Sequence, residues 1–485
     1  MLSVLLVVAV AVWFALLYPL ARHNLATETG PLNGPLTVPF ILVATFALMP
    51  LVFTVPREDG NAVLDEGLTA SNVVTLVIAG LTGLYLAVRT AIDRRILLVP
   101  FSMPYLPFTL MILVNGLSTA WSIVPAYTAY RTVELAVLYL AAIVIFDRAD
   151  IERRLANLFA LFTLIWLVAV TPIILASLAS GIVFSSAKHN MVPYLCAAHA
   201  FLVVFDDRVR HRGGHLLLAL AGFIVAGSAS STGALVAAAP GMMVASPHRR
   251  LRILGLVTFA AVFAVFMVLM LGLSAFPGLL DVLSVVLQKP AEELAGATGR
   301  GTFWPIFIAG TQDHLVGSGF SAADRFIQLL VPPAAYTDIL GPEGMAIQSS
   351  HNMLLSAWAG TGLIGLGFCA VVLGSAVRWG LKLAIAGRRF VATCVFFLIL
   401  NGMTTPGIFQ DWNIHVLAFV AVLAYARIGA MGREPARGPA ARPAADPAAE
   451  PAAGLGPLAP GHALRPPGAP LGAPLGTPLG ARLEA

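Results

Sequence analysis

"QSSHNMLLSAWAGTGLIGLG", Gln348–Gly367, decides the fold. Its second half belongs to an apolar run over 353–376. A run of about 20 predominantly apolar residues is what an α-helix needs to cross the hydrocarbon core of a bilayer. Its first half is polar, with His351 and Asn352 at the helix mouth. An imidazole and an amide at the lip of a lipid-facing segment need a reason. That reason depends on which side of the membrane the lip faces.

Similar runs recur along the chain. They fall at 2–20, 36–55, 71–89, 97–118, 130–147, 155–179, 191–206, 214–227, 232–246, 251–273, 353–376, 390–409 and 413–430. The short ones at 191–206, 214–227 and 232–246 read as tilted, broken or re-entrant. Composition agrees: 58% of the 485 residues are hydrophobic and only 11% are charged, against roughly 25% charged in a soluble domain. So few charges cannot cover a water-facing surface. The expectation is an all-α, polytopic integral membrane protein of 12–13 transmembrane helices, with 1–430 as one membrane domain. A net charge of +5 in such a chain is no nucleic-acid signal; it reflects the charge bias of membrane loops. The three cysteines, Cys196, Cys369 and Cys394, each lie inside an apolar run and read as small buried hydrophobes.

The basic residues give the orientation. Arg22, Arg89/Arg94/Arg95, Arg148/Arg153/Arg154, Arg208/Arg210/Arg212, Arg249/Arg250/Arg252, Arg378/Lys382/Arg388/Arg389 and Arg427 fall on alternate loops. These are 18 of the 29 basic residues; the opposite loops hold 6 and the tail 5. Cytoplasmic loops carry the excess of Lys and Arg, so the rich side is expected inside. Thirteen spans with an outside N-terminus satisfy every cluster, and twelve do so if the first run is lost. That run lacks the basic n-region and small-x-small site of a signal peptide. Residues 274–352 then form one long non-cytoplasmic loop. Residues 431–485 hold 12 of the 33 prolines and no apolar periodicity, the composition of a disordered tail, expected in the cytoplasm.

With sides assigned, the few outward cations become informative. "STAWSIVPAYTAYR", 118–131, ends in Arg131, with Glu134 three residues on. The pair reads either as an i,i+3 ion pair or as an arginine held for an anion in a cavity. Lys188, His189 and Asn190 stand just before a span. There they read as a snorkelling lysine and its neighbours, or as a cation, a titratable ring and an amide suited to a sugar phosphate. Arg300 opens an amphipathic stretch through Trp304, followed by "DHLVGSGF", 313–320, and Arg325. The stretch reads as a helix lying on the outer leaflet. The glycines at 360, 362, 365 and 367 read as close helix packing. Inside the spans, His199 and Asn401 are isolated polar residues. No P-loop, HExxH, EF-hand or dinucleotide glycine pattern occurs. "GSASSTG", 227–233, does not have the spacing of an intramembrane serine protease.

Taken in order, "STAWSIVPAYTAYR", "KHN" before a span, "GSASSTG", "TGRGTFWP…DHLVGSGF" and "SSHNMLLSAWAGTGLIGLG" resemble the bacterial O-antigen ligase and O-antigen/exopolysaccharide polymerase family. The resemblance covers about 110–415. "SIVP…R" and "KHN" look closer to the exopolysaccharide polymerase branch. The resemblance implies a multi-pass inner-membrane glycosyltransferase whose active site faces the periplasm. Its donor would be an undecaprenyl-diphosphate-linked glycan, and no metal, cofactor or nucleotide sugar would be needed. Chain-length regulators or other polysaccharide export proteins would be partners, alongside membrane lipid and no nucleic acid. By motif, Arg300 matches the arginine of the family's large loop, and His351 matches the histidine at its end. Many members carry Ser-Arg where this chain has Ser230, Ser231 and Thr232. Lys188 or Arg131 would have to supply that charge.

The implied chemistry is coherent. Breaking a sugar–diphosphate bond builds charge on the leaving group, which fixed cations stabilise, and arginine suits phosphate. The acceptor hydroxyl loses a proton as it attacks, and histidine is poised for that near neutral pH. The expected catalytic residues are His351 and Arg300. Lys188, His189, Asn190, Arg131, Arg325, Trp304 and Asn352 are the expected substrate-binding residues. The rivals are a ligase delivering the same glycan to a lipid A–core type acceptor, a flippase or other transporter, and a non-catalytic assembly subunit. A transporter should show mid-span acids or inverted repeats, and neither is evident.

Overall fold

The structure is a computed structural model that describes residues 70–92, 94–147, 151–179, 192–226, 229–272, 300–326, 350–405, 407–409 and 413–431, with positions 278, 281, 329 and 330. The expected runs at 2–20 and 36–55, the Lys188-His189-Asn190 segment and much of the 274–352 loop lie outside these residues. The chain divides into two units, Met1–Glu434 and Pro435–Ala485, and the second lies wholly outside them.

All regular elements among the described residues are helical. In chain order they are α1 (Ala70–Ile92), α2 (Leu106–Leu117), α3 (Pro125–Phe146), α4 (Ile151–Ala179), α5 (Val192–Phe205), α6 (Arg212–Ala226), α7 (Ala229–Ala234), α8 (Ala238–Val244), α9 (Arg249–Gly272), α10 (Arg300–Thr311), α11 (Ala322–Arg325), α12 (Met353–Gly380), α13 (Ile385–Gly402) and α14 (Ile414–Met431). α3 starts on Pro125 and α2 carries Pro107 in its first turn, where the missing N–H costs nothing. The apolar run at 232–246 is broken, as its length suggested: α7 passes through a 3-10 turn at Leu235–Ala237 into α8. Pro240 is the physical cause. It has no N–H for the Val236 carbonyl, and its ring crowds that carbonyl. The run at 97–118 is also shorter than expected, with two 3-10 turns ahead of α2.

Among the described residues, five helices are long and apolar enough to cross a membrane: α3, Arg249–Val268 of α9, α12, α13 and α14. The protein is a multi-pass membrane protein. α14 forms its centre, touching α3, α4, α5, α12 and α13, and every residue from Ile414 to Ala426 is buried. α9 is the reverse case. It is apolar, yet Ile253, Leu256, Val257, Val265 and Val268 are each at least half exposed. Such a surface is stable only against lipid.

Spans carry few charges, and apart from Arg131 and Glu134 within α3 these gather at helix ends. At the end of α14 that bears Tyr425 and Arg427, Arg427 ion-pairs with Asp147 at the close of α3. Its guanidinium lies 5.8 Å from the Tyr105 ring centre. Beside it, Arg208 donates to both carboxylate oxygens of Asp206 at 2.9 and 2.7 Å and comes within 3.4 Å of Glu152. Tyr425 also donates to Asp206, at 2.7 Å. Partial burial works to raise the Asp206 carboxyl, but the bonds from Arg208 and Tyr425 outweigh it and hold it below its ordinary value. At the other end of α14, Asn413 caps the helix by accepting from the N–H groups of His415 and Val416. Asn401 Nδ2 stands 2.9 Å from His415 Nε2. Asn401 is therefore not isolated, and neither is His199, whose Nε2 is 3.1 Å from His215 Nδ1 on α6. Both pairs cross between helices, the usual way a polar group is accommodated in a membrane bundle.

Candidate functional site

Three side chains of "STAWSIVPAYT" bond the backbone of a distant segment. Ser118 Oγ accepts from the Phe320 N–H at 3.0 Å, and Thr128 Oγ1 donates to the Phe320 carbonyl at 3.0 Å. Trp121 Nε1 donates to the Val316 carbonyl, also at 3.0 Å. The Ile123 N–H donates to the Ser318 carbonyl at the same distance. Together these hold "DHLVGSGF" against the start of α3. The fit is close at Gly319, whose φ is +106° and where a Cβ would collide with the Ser122 side chain. Such a backbone is open to glycine and strained for other residues.

The same segment docks on its other side into α12. That helix is interrupted at Thr361 and Gly362, and Gly362 has φ +66° and ψ −149°. The break frees backbone groups, and the docked segment takes them up. Ser318 N–H donates to the Ala359 carbonyl at 2.8 Å, Gly319 N–H to Gly360 at 2.9 Å, and Leu363 N–H to Leu315 at 3.0 Å. Gly362 therefore serves a chain break rather than the helix packing expected for it. A Cβ there would strike the Leu315 carbonyl. At Gly367 nothing lies within 4 Å of where a Cβ would stand, so close packing does not explain that glycine either.

Beyond Phe320 the chain turns through Ser321, at φ +60°, into the single turn α11. Asp324 is buried there, 2% exposed. Its Oδ1 accepts from the Ser350 N–H at 2.9 Å and its Oδ2 from the Ser356 hydroxyl at 2.6 Å. Trp304, buried on α10, donates from Nε1 to the Ser350 carbonyl at 2.9 Å. Ser350 Oγ lies 2.9 Å from Ser356 Oγ and donates to the Asn352 carbonyl at 3.1 Å. Asn352 is the N-cap of α12, its Oδ1 accepting from the Leu354 and Leu355 N–H groups at 2.9 and 3.1 Å. Between these two buried residues stands His351, exposed and at φ +46°.

The sequence-predicted residues distribute as follows. His351, Asn352, Trp304 and Arg325 share one hydrogen-bonded assembly, Arg325 through its neighbour Asp324. Within it, Trp304 and Asn352 use their polar atoms on backbone. Arg131 lies beside the assembly: its Nε donates to Tyr127 Oη at 3.0 Å, and Tyr127 meets Phe326 edge-on at 5.2 Å between ring centres. Arg131 also forms the i,i+3 ion pair, 2.9 Å to Glu134, and covers the rings of Tyr127 and Tyr130. Arg300 opens α10 one turn before Trp304; its side chain, like Lys188, His189 and Asn190, lies outside the described residues. Sequence reasoning passed over Asp324, Ser350 and Ser356. Buried Asp is rare unless paired, and in the sequence Asp324 is one of seven acidic residues in the 274–352 loop. Among the described residues, no group of three His, Cys, Asp or Glu is placed to hold a metal.

Residues 215–370 match the family model Wzy_C, described as O-antigen ligase. This stretch is similar to the O-antigen ligase family. No curated protein and no solved structure matches the chain. The O-antigen ligase match covers about a third of the length. It runs from α6 through the break in α12, and includes Arg300, Trp304, Asp324, Arg325, His351 and Asn352 but neither Arg131 nor residues 188–190. Members of this family are ligases and polymerases of lipid-linked glycans in polysaccharide and O-antigen synthesis.

Proposed function

We propose that the protein polymerises undecaprenyl-diphosphate-linked oligosaccharide repeat units into exopolysaccharide or O-antigen, at the periplasmic face of a bacterial inner membrane. The observation that carries this reading is the presentation of His351. An exposed imidazole stands on a left-handed turn at the mouth of α12, inside the O-antigen ligase match. The far end of the same helix carries Arg378, and Lys382 follows it. By the distribution of basic residues, that far end faces the cytoplasm and His351 faces the periplasm.

In the proposed step, the hydroxyl oxygen of an acceptor sugar attacks the anomeric carbon of the donor glycan. The bond from that carbon to the diphosphate oxygen breaks, and its electron pair leaves with the lipid diphosphate. His351 takes the hydroxyl proton or orients the hydroxyl. Arg300 and Lys188, with Arg325 and Arg131 near the same end, stabilise the charge on the leaving diphosphate. The start of α12 adds the partial positive charge of a helix N-terminus. His189, Asn190, Asn352 and Trp304 complete the proposed substrate-binding set, Trp304 by fixing the turn it bonds.

Polymerisation by purified protein in detergent with a lipid-linked repeat unit tests the reading. General acid–base and charge-stabilising groups each contribute roughly 10²–10⁴-fold, so His351→Ala and Arg300→Ala should each lose at least about 100-fold in kcat. Near wild-type rates at normal folding would sink it. The family description favours a second reading, in which the protein transfers finished glycan to a lipid A–core type acceptor. A deletion strain separates the two. Single lipid-linked repeat units accumulate if a polymerase is lost, and lipid-linked long polymer accumulates if a ligase is lost.

A further inference from the structure

We propose that Asp324 is a positioning residue for His351, and that its carboxylate sets the turn on which the imidazole is presented. The proposal rests on the reading of His351 as the group that meets the acceptor hydroxyl. Three observations lead to it.

The first is strain. His351 is one of three non-glycine residues with positive φ among the described residues, and Ser321, at the head of Asp324's own helical turn, is another. A non-glycine residue in this region costs energy and persists only where its surroundings impose it. The second is how those surroundings are built. Ser350, immediately before His351, is held at its N–H by Asp324, at its carbonyl by Trp304 and at its hydroxyl by Asn352 and Ser356. Asn352, immediately after, is committed to the cap of α12. Both neighbours are buried, and His351 between them is exposed. The third is the carboxylate itself. Burying an ionised carboxyl is costly unless it is well bonded. Both Asp324 oxygens are directed at the two sides of this one turn, Ser350 before His351 and Ser356 after it.

Asp324 is in turn fixed from the start of α3. Ser118 and Thr128 hold Phe320, Phe320 leads into Ser321, and Ser321 opens the turn that carries Asp324. A path of hydrogen bonds and short chain thus runs from "STAWSIVPAYT" to His351. Arg325 is the next residue to Asp324, so the cation and the imidazole are placed by one element. If the Asp324 carboxylate is lost, the turn relaxes and His351 moves relative to the reacting atoms, while Arg300 and Lys188 lie on other segments and Arg325 keeps its backbone bond to Ser321.

The test is steady-state kinetics on folded, detergent-solubilised protein with the lipid-linked repeat unit as substrate. Displacing a reacting group by about 1 Å costs up to about 100-fold, so Asp324→Ala is expected to lower kcat by about that factor while KM for the donor stays within about twofold. Asp324→Asn keeps an acceptor for the Ser350 N–H and is expected to recover most of the loss. A kcat for Asp324→Ala close to wild type overturns the proposal, as does a loss confined to KM. So does an Asn variant no better than Ala. Should Asp324→Ala fail to fold, Ser356→Ala, which removes one hydroxyl from the carboxylate, is to lower kcat at unchanged KM; an unchanged kcat overturns the proposal. His351→Ala in the same assay keeps the two readings apart. If it retains the rate, the role given to His351 fails; if it is inactive while Asp324→Ala is active, only the positioning role fails.

Discussion

Gly362 and His351 both have positive φ, for opposite reasons. Gly362 is there because no other residue fits. With ψ near −149° it occupies a region that is essentially glycine-only, and the Leu315 carbonyl fills the space a side chain would need. His351 is there because its neighbours are bonded on both sides, which leaves the exposed residue between them on the turn. Substitution should separate these roles. Gly362→Ala is expected to destabilise the protein by about 1–3 kcal/mol or more from backbone conformation alone, with the carbonyl clash added, and to lower the thermal unfolding midpoint in detergent. Gly367→Ala, five residues on in regular helix with open space around it, should leave the midpoint unchanged or raise it, since alanine in a helix interior is favoured over glycine by about 1 kcal/mol. Equal midpoints for the two variants would contradict this account of the break. Gly362 and Gly367, alike in sequence, thus do different work. Periodicity registers only their spacing, and what decides between them is a turn some forty residues upstream.

At the scale of elements, α3 shows why a charged pair in a span has two readings. Glu134 is fully buried, and Arg131, one turn earlier, is mostly so. Removing one partner of a buried pair typically costs roughly 3–5 kcal/mol, because the other charge is left uncompensated, whereas replacing both by apolar groups is close to neutral. Arg131→Met should therefore lower the unfolding midpoint markedly, and Arg131→Met/Glu134→Met should restore it. If the restored double variant polymerises glycan normally, Arg131 acts only on structure; if it folds but has lost donor affinity, Arg131 also meets the diphosphate. The helices themselves were legible in the sequence. α1, α4 to α6, α9, α12 and α14 fall on the expected apolar runs within about four residues, whereas α3 starts five residues early and α13 starts five early and ends seven short of 390–409; burial in lipid imposes the same requirement along the whole run. Even the break between α7 and α8 could be traced to Pro240. The site was legible in part. The mouth of α12 stood out because polar residues are conspicuous beside an apolar run. Asp324, Ser350 and Ser356 did not, since hydrogen bonds between segments 26 and 32 residues apart leave no periodic trace. In "STAWSIVPAYT" the Ser118 and Thr128 hydroxyls and the Trp121 N–H serve the backbone of another segment, a role that no spacing announces.

At the scale of the molecule, the two ends of the bundle differ in kind. One is laced by Asp147–Arg427 and by Arg208 with Asp206 and Glu152; the other carries the strained turn at His351. The orientation proposed from the positive-inside bias would put the laced end in the cytoplasm, and labelling can check it. The three native cysteines are buried and should stay silent toward a membrane-impermeant maleimide. Asp313→Cys, in the exposed stretch before the docked segment, should label in intact spheroplasts, while Arg250→Cys should label only after permeabilisation. The opposite pattern would place His351 on the cytoplasmic side and end the proposed function. The pairing of 315–319 with the break in α12 also bears on how the protein is made. An interrupted membrane helix exposes amide and carbonyl groups that lipid cannot satisfy. The ribosome delivers the segment that satisfies them before it delivers α12, so the partner is waiting when the helix emerges. Biogenesis of α12 is thereby tied to the placement of the loop ahead of it, and a lesion that delays the loop would leave the helix a poor substrate for insertion and a good one for membrane quality control.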